Sequence, residues 1–199
     1  MKLFYTAASP FARKVRIVAH EKNLAGSINE VLVNLAENPA DVIATNPIGK
    51  IPALVRDDGF ALYDSPVICD YLDATGSGAR LIPASGDARW LVLRAEALAD
   101  GALDAAVACV MESRRPAHEQ SAAAVARQKE KIVRSVREME KQIALLPVSF
   151  NLGHIAFISV LGYLDLRNPE LNWRENAPTL AKWFAEADER DSAKKTRPR

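Results

Sequence analysis

The chain is poor in cysteine: only Cys69 and Cys109 occur in 199 residues. Two thiols cannot build a disulfide framework or a zinc site, and each reads as a small buried hydrophobe. There is no excess of one charge either, with 26 Lys and Arg against 25 Asp and Glu. No net field therefore draws the protein to nucleic acid or to an anionic membrane. Long apolar runs are missing as well. Residues 152–166 are the most apolar stretch, but they fall short of the ~20 needed to span a bilayer. His154, Ser159 and Asp165 interrupt them, so a buried helix is expected there. Met1-Lys2-Leu3-Phe4-Tyr5 lacks the basic region and long apolar core of a secretory signal. A reducing cytoplasm is the expected location. Repeats and low-complexity tracts are absent.

The remaining composition is that of a globular protein: 49% hydrophobic and 26% charged. The length allows one large domain or two small ones. Residues 3–5 read as a short strand. Ser9-Pro10 then opens a helix, with serine as N-cap and proline suited to the first helical position. Phe11, Val15, Val18 and Ala19 recur at helical spacing to about residue 23. Gly26 ends the helix, and 28–32 reads as a second strand, parallel to the first with a right-handed crossover. A short helix is expected over 39–44 and a loop over 46–49. Two short strands follow, 51–55 and 60–63, separated by the hairpin signal Asp57-Asp58-Gly59. Asp64-Ser65-Pro66 repeats the cap-plus-proline start of a helix that runs to about residue 74. The order is βαβ, then αββα.

Residues 75–87 hold three glycines, two serines and a proline, which makes them the linker candidate. The expected domains are 1–76 and 87–199, with a linker at about 77–86. The second domain reads as an all-α bundle. Leu91, Ala95, Leu98, Ala102, Ala105 and Cys109 form one apolar stripe. Ile132, Val136, Met139, Ile143 and Leu146 form another, and both are core signatures. The mixed charges of 127–141 read as a solvated face. Residues 152–166, apolar almost all round, belong at the bundle centre, and Pro178 starts a last helix carrying Leu180, Trp183 and Phe184. The basic tail, Lys194-Lys195-Thr196-Arg197-Pro198-Arg199, reads as a frayed terminus.

Three local features carry chemistry. Ser9-Pro10-Phe11-Ala12 lies between the first strand and helix, where thioredoxin-like oxidoreductases place Cys-x-x-Cys and a helix N-terminus lowers a thiol pKa. Ser9 and Ala12 fill both cysteine positions, so any thiolate used there must come from a ligand. The competing reading of Ser9 is a plain helix cap. Gly49-Lys50-Ile51-Pro52-Ala53-Leu54 sets a proline at the start of a strand, an arrangement tolerated at an edge. A cis Ile51–Pro52 bond would turn the Ile51 backbone outward to pair with an extended peptide. Only about 5–6% of X-Pro bonds are cis, so the local sequence argues for trans. Tyr63-Asp64-Ser65-Pro66 offers free helix-start amides for a carboxylate, beside Asp64 for an ammonium group. An α-amino acid head carries both groups, and an ordinary cap is again the plain alternative.

The ordered set Ser-Pro-Phe-x-Arg-Lys-Val, Asn-Pro-x-Gly-Lys-Ile-Pro-x-Leu and Asp-Ser-Pro-x-Ile resembles the N-terminal domain of glutathione S-transferases, bacterial serine-type members in particular. The resemblance continues through Glu96-Ala97-Leu98-Ala99-Asp100-Gly101 and Gly162-Tyr163-Leu164-Asp165-Leu166-Arg167 to the C-terminal helix. It implies a thioredoxin-like α/β domain followed by an all-helical domain. It further implies that Ser9 donates a hydrogen bond to the glutathione sulfur and that Ile51 pairs by its backbone with the cysteinyl part. Pro52 is then the family's cis-proline, and Asp64 and Ser65 hold the γ-glutamyl end. Lys50 reaches the glycyl carboxylate, and Phe11 either lines the site or packs in its helix. One departure stands out. The family's central helix often starts Ser/Thr-x-x-Asp, and here the matching residues are Asn151-Leu152-Gly153-His154. Asn151 can still cap, but His154 cannot be the acidic partner.

The function implied is transfer of glutathione, as cosubstrate, to a small apolar electrophile, with weak peroxide reduction as a side activity. No permanent cofactor and no metal is expected. A homodimer is, from relatives. Gly101, Ala102, Ala105 and Ala106 would permit close helix approach, between subunits or within one. The alternative function is a non-catalytic adaptor that binds a protein partner, against which the intact Ser9, Pro52, Asp64 and Ser65 argue. A glutaredoxin-type redox protein is disfavoured by Ser9 and Ala12. His20, His118 and His154 read as structural or surface residues.

Overall fold

The computed structural model describes residues 1–198. The chain divides into two compact units: Met1–Pro83 together with the residues from Asp191 on, and Ala84–Arg190.

The first unit begins β1 (Lys2–Tyr5), α1 (Pro10–Glu21), β2 (Asn29–Leu32), α2 (Ala40–Thr45). It continues β3 (Ala53–Val55), β4 (Ala61–Leu62), α3 (Ser65–Thr75). The sheet order is β2-β1-β3-β4, with β1 and β2 parallel and the other pairs antiparallel. This is the thioredoxin-like α/β arrangement expected from the sequence. Strands β3 and β4 are shorter than the apolar runs suggest. Pro52 has no N–H to give a ladder, so β3 starts only at Ala53. Side chains alternate across the sheet. Phe4 and Ala53 face one side and pack with Val42 of α2, which leaves the opposite face, Leu3 and Leu54, for α1 and α3.

A buried ion pair closes this unit. Lys22 Nζ lies 3.2 Å from Asp73 Oδ1, and both side chains are 1% exposed. The ammonium also donates to the Ala79 carbonyl at 2.9 Å. The carboxylate accepts the backbone N–H groups of Leu81 (2.8 Å) and Ile82 (3.0 Å). The glycine-rich stretch after α3 is therefore pinned to the unit through buried Leu81 and Ile82. Gly76 is needed for close approach: a Cβ there would meet the Lys22 carbonyl oxygen at 2.7 Å and its Cβ at 2.6 Å.

The basic tail is not frayed. Asp191–Lys195 forms a short helix, α9, which packs on α1. Ser192 Oγ donates to Glu21 at 2.6 Å, and Arg13 donates to the Ala193 carbonyl at 3.3 Å. Ala193 and Thr196 are buried. These contacts explain why the segment joins the first unit, whereas the sequence reading assigns it to the helical domain. Arg199, the end of that tail, lies outside the described residues.

The second unit holds α4 (Gly86–Ser113), α5 (Ala122–Gln142), α6 (Leu152–Arg167), α7 (Trp173–Asn176) and α8 (Pro178–Ala187). Both α5 and α6 pack on α4. Residues 152–161 of α6 are all buried, as an all-round apolar helix must be. Ala102, Ala105 and Ala106 are spent on this in-chain packing, and of the four small residues only Gly101 is exposed. Glu140 of α5 reaches the start of α8 and accepts the N–H groups of Thr179 (3.0 Å) and Leu180 (2.7 Å). It supplies the cap that Ala177 cannot.

Asn151 caps α6. Its Oδ1 accepts the His154 N–H at 3.3 Å, and its Nδ2 donates to the carbonyls of Ser149 and Pro147. One buried amide thus caps α6 without an acidic partner at position 154. His154 is free of that duty and joins an aromatic group, with ring centroids 5.8 Å from Phe150 and 5.5 Å from Trp183. Burial, and secondarily the Arg190 charge, lower its pKa from 6.5 to about 4. A depressed histidine pKa stabilises the fold fully above the unfolded value. That contribution fades as pH falls from about 6.5 to about 4. We expect an acid-dependent stability loss of about 2–3 kcal/mol across this window. Denaturant titrations of the His154→Phe variant, which keeps the ring packing, should show a flatter profile. An unchanged slope would contradict the assignment.

Candidate functional site

The register gathers the three sequence features. Phe4 pairs with Ala53 and Leu54 with Leu62. The C-terminal ends of β1 and β4 therefore lie beside the N-terminal end of β3. The chain leaves β1 for Ser9, enters β3 from Ile51-Pro52, and leaves β4 for Asp64-Ser65. Two helix N-termini and one strand entrance thus meet at a single end of the sheet.

Ser9 is the N-cap of α1, in extended backbone geometry (φ −72°, ψ 118°). Its Oγ accepts the Ala12 N–H at 3.2 Å, and its carbonyl accepts the Arg13 N–H at 2.9 Å. The cap uses the hydroxyl as acceptor only. The O–H proton makes no intrachain hydrogen bond among the described residues and can be given to a ligand. Phe11, one residue into α1, is half-buried.

At the strand entrance, the Ile51–Pro52 bond is cis, as is Tyr63–Asp64. Pro52 is buried and Ile51 half-buried. The Ile51 N–H and carbonyl make no intrachain hydrogen bond among the described residues, so both can pair with an extended ligand backbone. Lys50 is exposed. Gly49 holds φ at +68°, a conformation that favours glycine. Asn46, within the loop expected over 46–49, organises this turn. It is buried, its Oδ1 accepts the Ile48 N–H at 3.1 Å, and its Nδ2 donates to the Lys50 carbonyl at 2.9 Å. Its own carbonyl accepts the Gly49 N–H at 2.8 Å. The signal was an asparagine followed by proline with glycine three residues on, a turn signature.

Asp64 occupies the N-cap position of α3 but makes no side-chain cap bond. The sequence left two readings of Asp64, an ammonium holder or an ordinary cap; the carboxylate is exposed and makes no cap bond. Ser65 is buried at the first helical position. Pro66 has no N–H, and the Ile68 N–H goes to the Asp64 carbonyl at 3.0 Å. The amides of Ser65 and Val67 remain as orphan donors at the positive end of the helix. A carboxylate acceptor for ammonium stands beside donors for a carboxylate.

Of the histidines, His20 alone shares a unit with Ser9. His20 is eleven residues along α1, about 16 Å down the axis; burial first, then the Lys195 and Arg16 charges, lower its pKa. His118 is exposed beside Glu119, and His154 belongs to the helical unit. Cys69 lies in α3 and Cys109 in α4 of the second unit, both buried. Among the described residues no helix is long and apolar enough to cross a membrane.

This fold, a thioredoxin-like unit with a cis-proline at the strand entrance and an all-helical unit, is that of the glutathione S-transferases. Residues 8–75 match the family's N-terminal domain and residues 122–186 its C-terminal domain. The chain belongs to this family. It is 36% identical to the uncharacterized GST-like protein YibF of Escherichia coli K12, over its whole length and 98% of that protein. A glutathione transferase family member from Pseudomonas fluorescens Pf-5 is 40% identical over all of this chain and 98% of its own, with a TM-score of 0.96 and bound glutathione. That protein has also been solved with S-(propanoic acid)-glutathione (TM-score 0.91). The glutathione S-transferase of Methylobacillus flagellatus KT, with glutathione bound, is 45% identical over all of this chain and 99% of its own, with a TM-score of 0.93.

Proposed function

We propose that this protein is a serine-type glutathione transferase that activates the glutathione thiol for attack on a small, mostly apolar electrophile. The observation that carries the reading is the Ser9 hydroxyl, whose oxygen caps α1 while its proton remains to be donated. In this reading the glutathione sulfur accepts that proton's hydrogen bond at the positive end of α1. The Ile51 backbone pairs with the cysteinyl residue beyond Pro52. Asp64 takes the γ-glutamyl ammonium, and Ser65 with the α3 amides takes its carboxylate. Lys50 meets the glycyl carboxylate, and Phe11 walls the thiol. A hydrogen bond to the charged form and a helix dipole both lower the thiol pKa, each unit needing about 1.36 kcal/mol. The thiol proton leaves to solvent. The thiolate sulfur then forms a bond to the electrophilic carbon as the leaving group departs or a double bond is saturated. Weak peroxide reduction by the same thiolate belongs to the proposal, with a second glutathione as reductant.

The direct test is glutathione conjugation to a chromogenic aryl halide. Turnover above the uncatalysed rate, saturating in glutathione, is expected. Glutathione binding with no turnover across a panel of electrophiles would instead favour the alternative, an adaptor that binds a protein partner. The proposal includes a cytoplasmic homodimer. Gly101, with Ala97, Leu98, Lys131, Arg134 and Ser135, lines a groove of about 370 Å³ between α4 and α5 that a second copy would cover. Sedimentation at micromolar concentration should give twice the chain mass, and a monomer would refute this part.

A further inference from the structure

No residue of α1 is exposed, and α3 packs on it. It also packs against α9, a segment more than 170 residues away in sequence. Two hydrogen bonds fasten them. Ser192 Oγ lies 2.6 Å from Glu21 Oε1 at the C-terminal end of α1. Arg13, 2% exposed, donates to the Ala193 carbonyl at 3.3 Å near the N-terminal end. Ala193 itself is 0% exposed. The Arg13 anchor is one turn from the hydroxyl that matters, because the Arg13 N–H donates to the Ser9 carbonyl at 2.9 Å. The α9 backbone also closes on itself through the Thr196 hydroxyl, which donates to the Ser192 carbonyl at 2.8 Å.

We infer that α9 and Arg13 form a brace that fixes the first turn of α1, so that the Ser9 hydroxyl is held in place for thiol activation. Arg13, Ser192 and Ala193 are positioning residues; none of them needs to touch glutathione. Positioning matters because a small displacement of a donor costs far more rate than affinity. The inference rests on the transferase reading above for its catalytic consequence, but its structural half stands without it.

The test uses Ala193→Trp, which levers α9 off α1, with Ser192→Ala and Arg13→Gln as milder variants that retain the packing. The control is Ser121→Ala, which removes the cap of α5 (Oγ to the Ala124 N–H, 3.2 Å) in the other unit. In the brace variants, turnover should fall about tenfold and the bound glutathione thiol should titrate at higher pH. The dissociation constant for glutathione should stay within about twofold, since Ile51, Asp64 and Ser65 are untouched. Hydrogen exchange should quicken at the Ala12 and Arg13 amides and not at the Ile68 amide. The control should lose thermal stability without moving thiol titration or α1 exchange. Brace variants that lose thermal stability while thiol titration, turnover and α1 exchange stay at wild-type values would overturn the inference. If the wild-type protein binds no glutathione, the transferase reading fails by itself, and amide exchange still decides the brace.

Discussion

Replacing Ser9 with alanine should lower conjugation turnover about 10- to 100-fold while leaving glutathione binding within a few-fold. The hydroxyl proton is the only donor the side chain offers to the sulfur, and alanine offers none. The helix dipole remains, so the thiol pKa should rise by about one unit rather than return to its free value. The same substitution removes the α1 cap at the Ala12 N–H and should cost about 1 kcal/mol of stability. These two effects separate cleanly, because a cap loss shifts the melting curve and a donor loss shifts the titration of the bound thiol. Ser9→Cys should restore a thiol where related folds keep one, and favour mixed-disulfide chemistry over conjugation. Conjugation unchanged in Ser9→Ala would remove Ser9 from the mechanism.

The largest effect on folding is expected at Asp73. Its carboxylate neutralises Lys22 inside the first unit and accepts two backbone amides. Asp73→Ala leaves the ammonium buried without its counter-charge and the Leu81 and Ile82 N–H groups without an acceptor. Breaking one side of such a pair costs about 3–5 kcal/mol, a large share of the stability of an ordinary domain. The double change Asp73→Leu with Lys22→Met should recover much of that loss, because it removes the charge with its partner. Chemical denaturation of the three proteins measures this. A single variant within 1 kcal/mol of wild type would show that Lys22 finds water instead.

The α/β half of the fold was legible because its punctuation is chemical. Ser9-Pro10 and Asp64-Ser65-Pro66 start helices, and Asp57-Asp58-Gly59 turns a hairpin. The helical half was legible from apolar period, with Ile132, Val136 and Met139 buried as that period requires, although Leu91, Leu98 and Ile143 are only half-buried and α5 ends before Ile143. The features that escaped are those where polar residues do the packing. Helix α9 docks through Ser192, Ala193 and Thr196, a short segment with no apolar stripe, so its lysines made it look like a loose tail. Lys22 and Asp73 look like ordinary surface charges until the chain after α3 folds over them. At Asn46 the turn is announced by Asn-Pro with a glycine three residues on, but not that both ends of one amide hold the same loop. At Asp64 the sequence kept ammonium binding and an ordinary cap both open, and the side chain does not cap.

The central claim is that this end of the sheet binds glutathione, and calorimetric titration of the protein with reduced glutathione tests it most directly. Saturable binding of one glutathione per chain is predicted, weakened about tenfold or more in Asp64→Ala as the ammonium loses its partner. No heat and no thermal stabilisation at millimolar glutathione would contradict it, and the motifs at Ser9, Pro52 and Asp64 would then remain only as architecture of the fold.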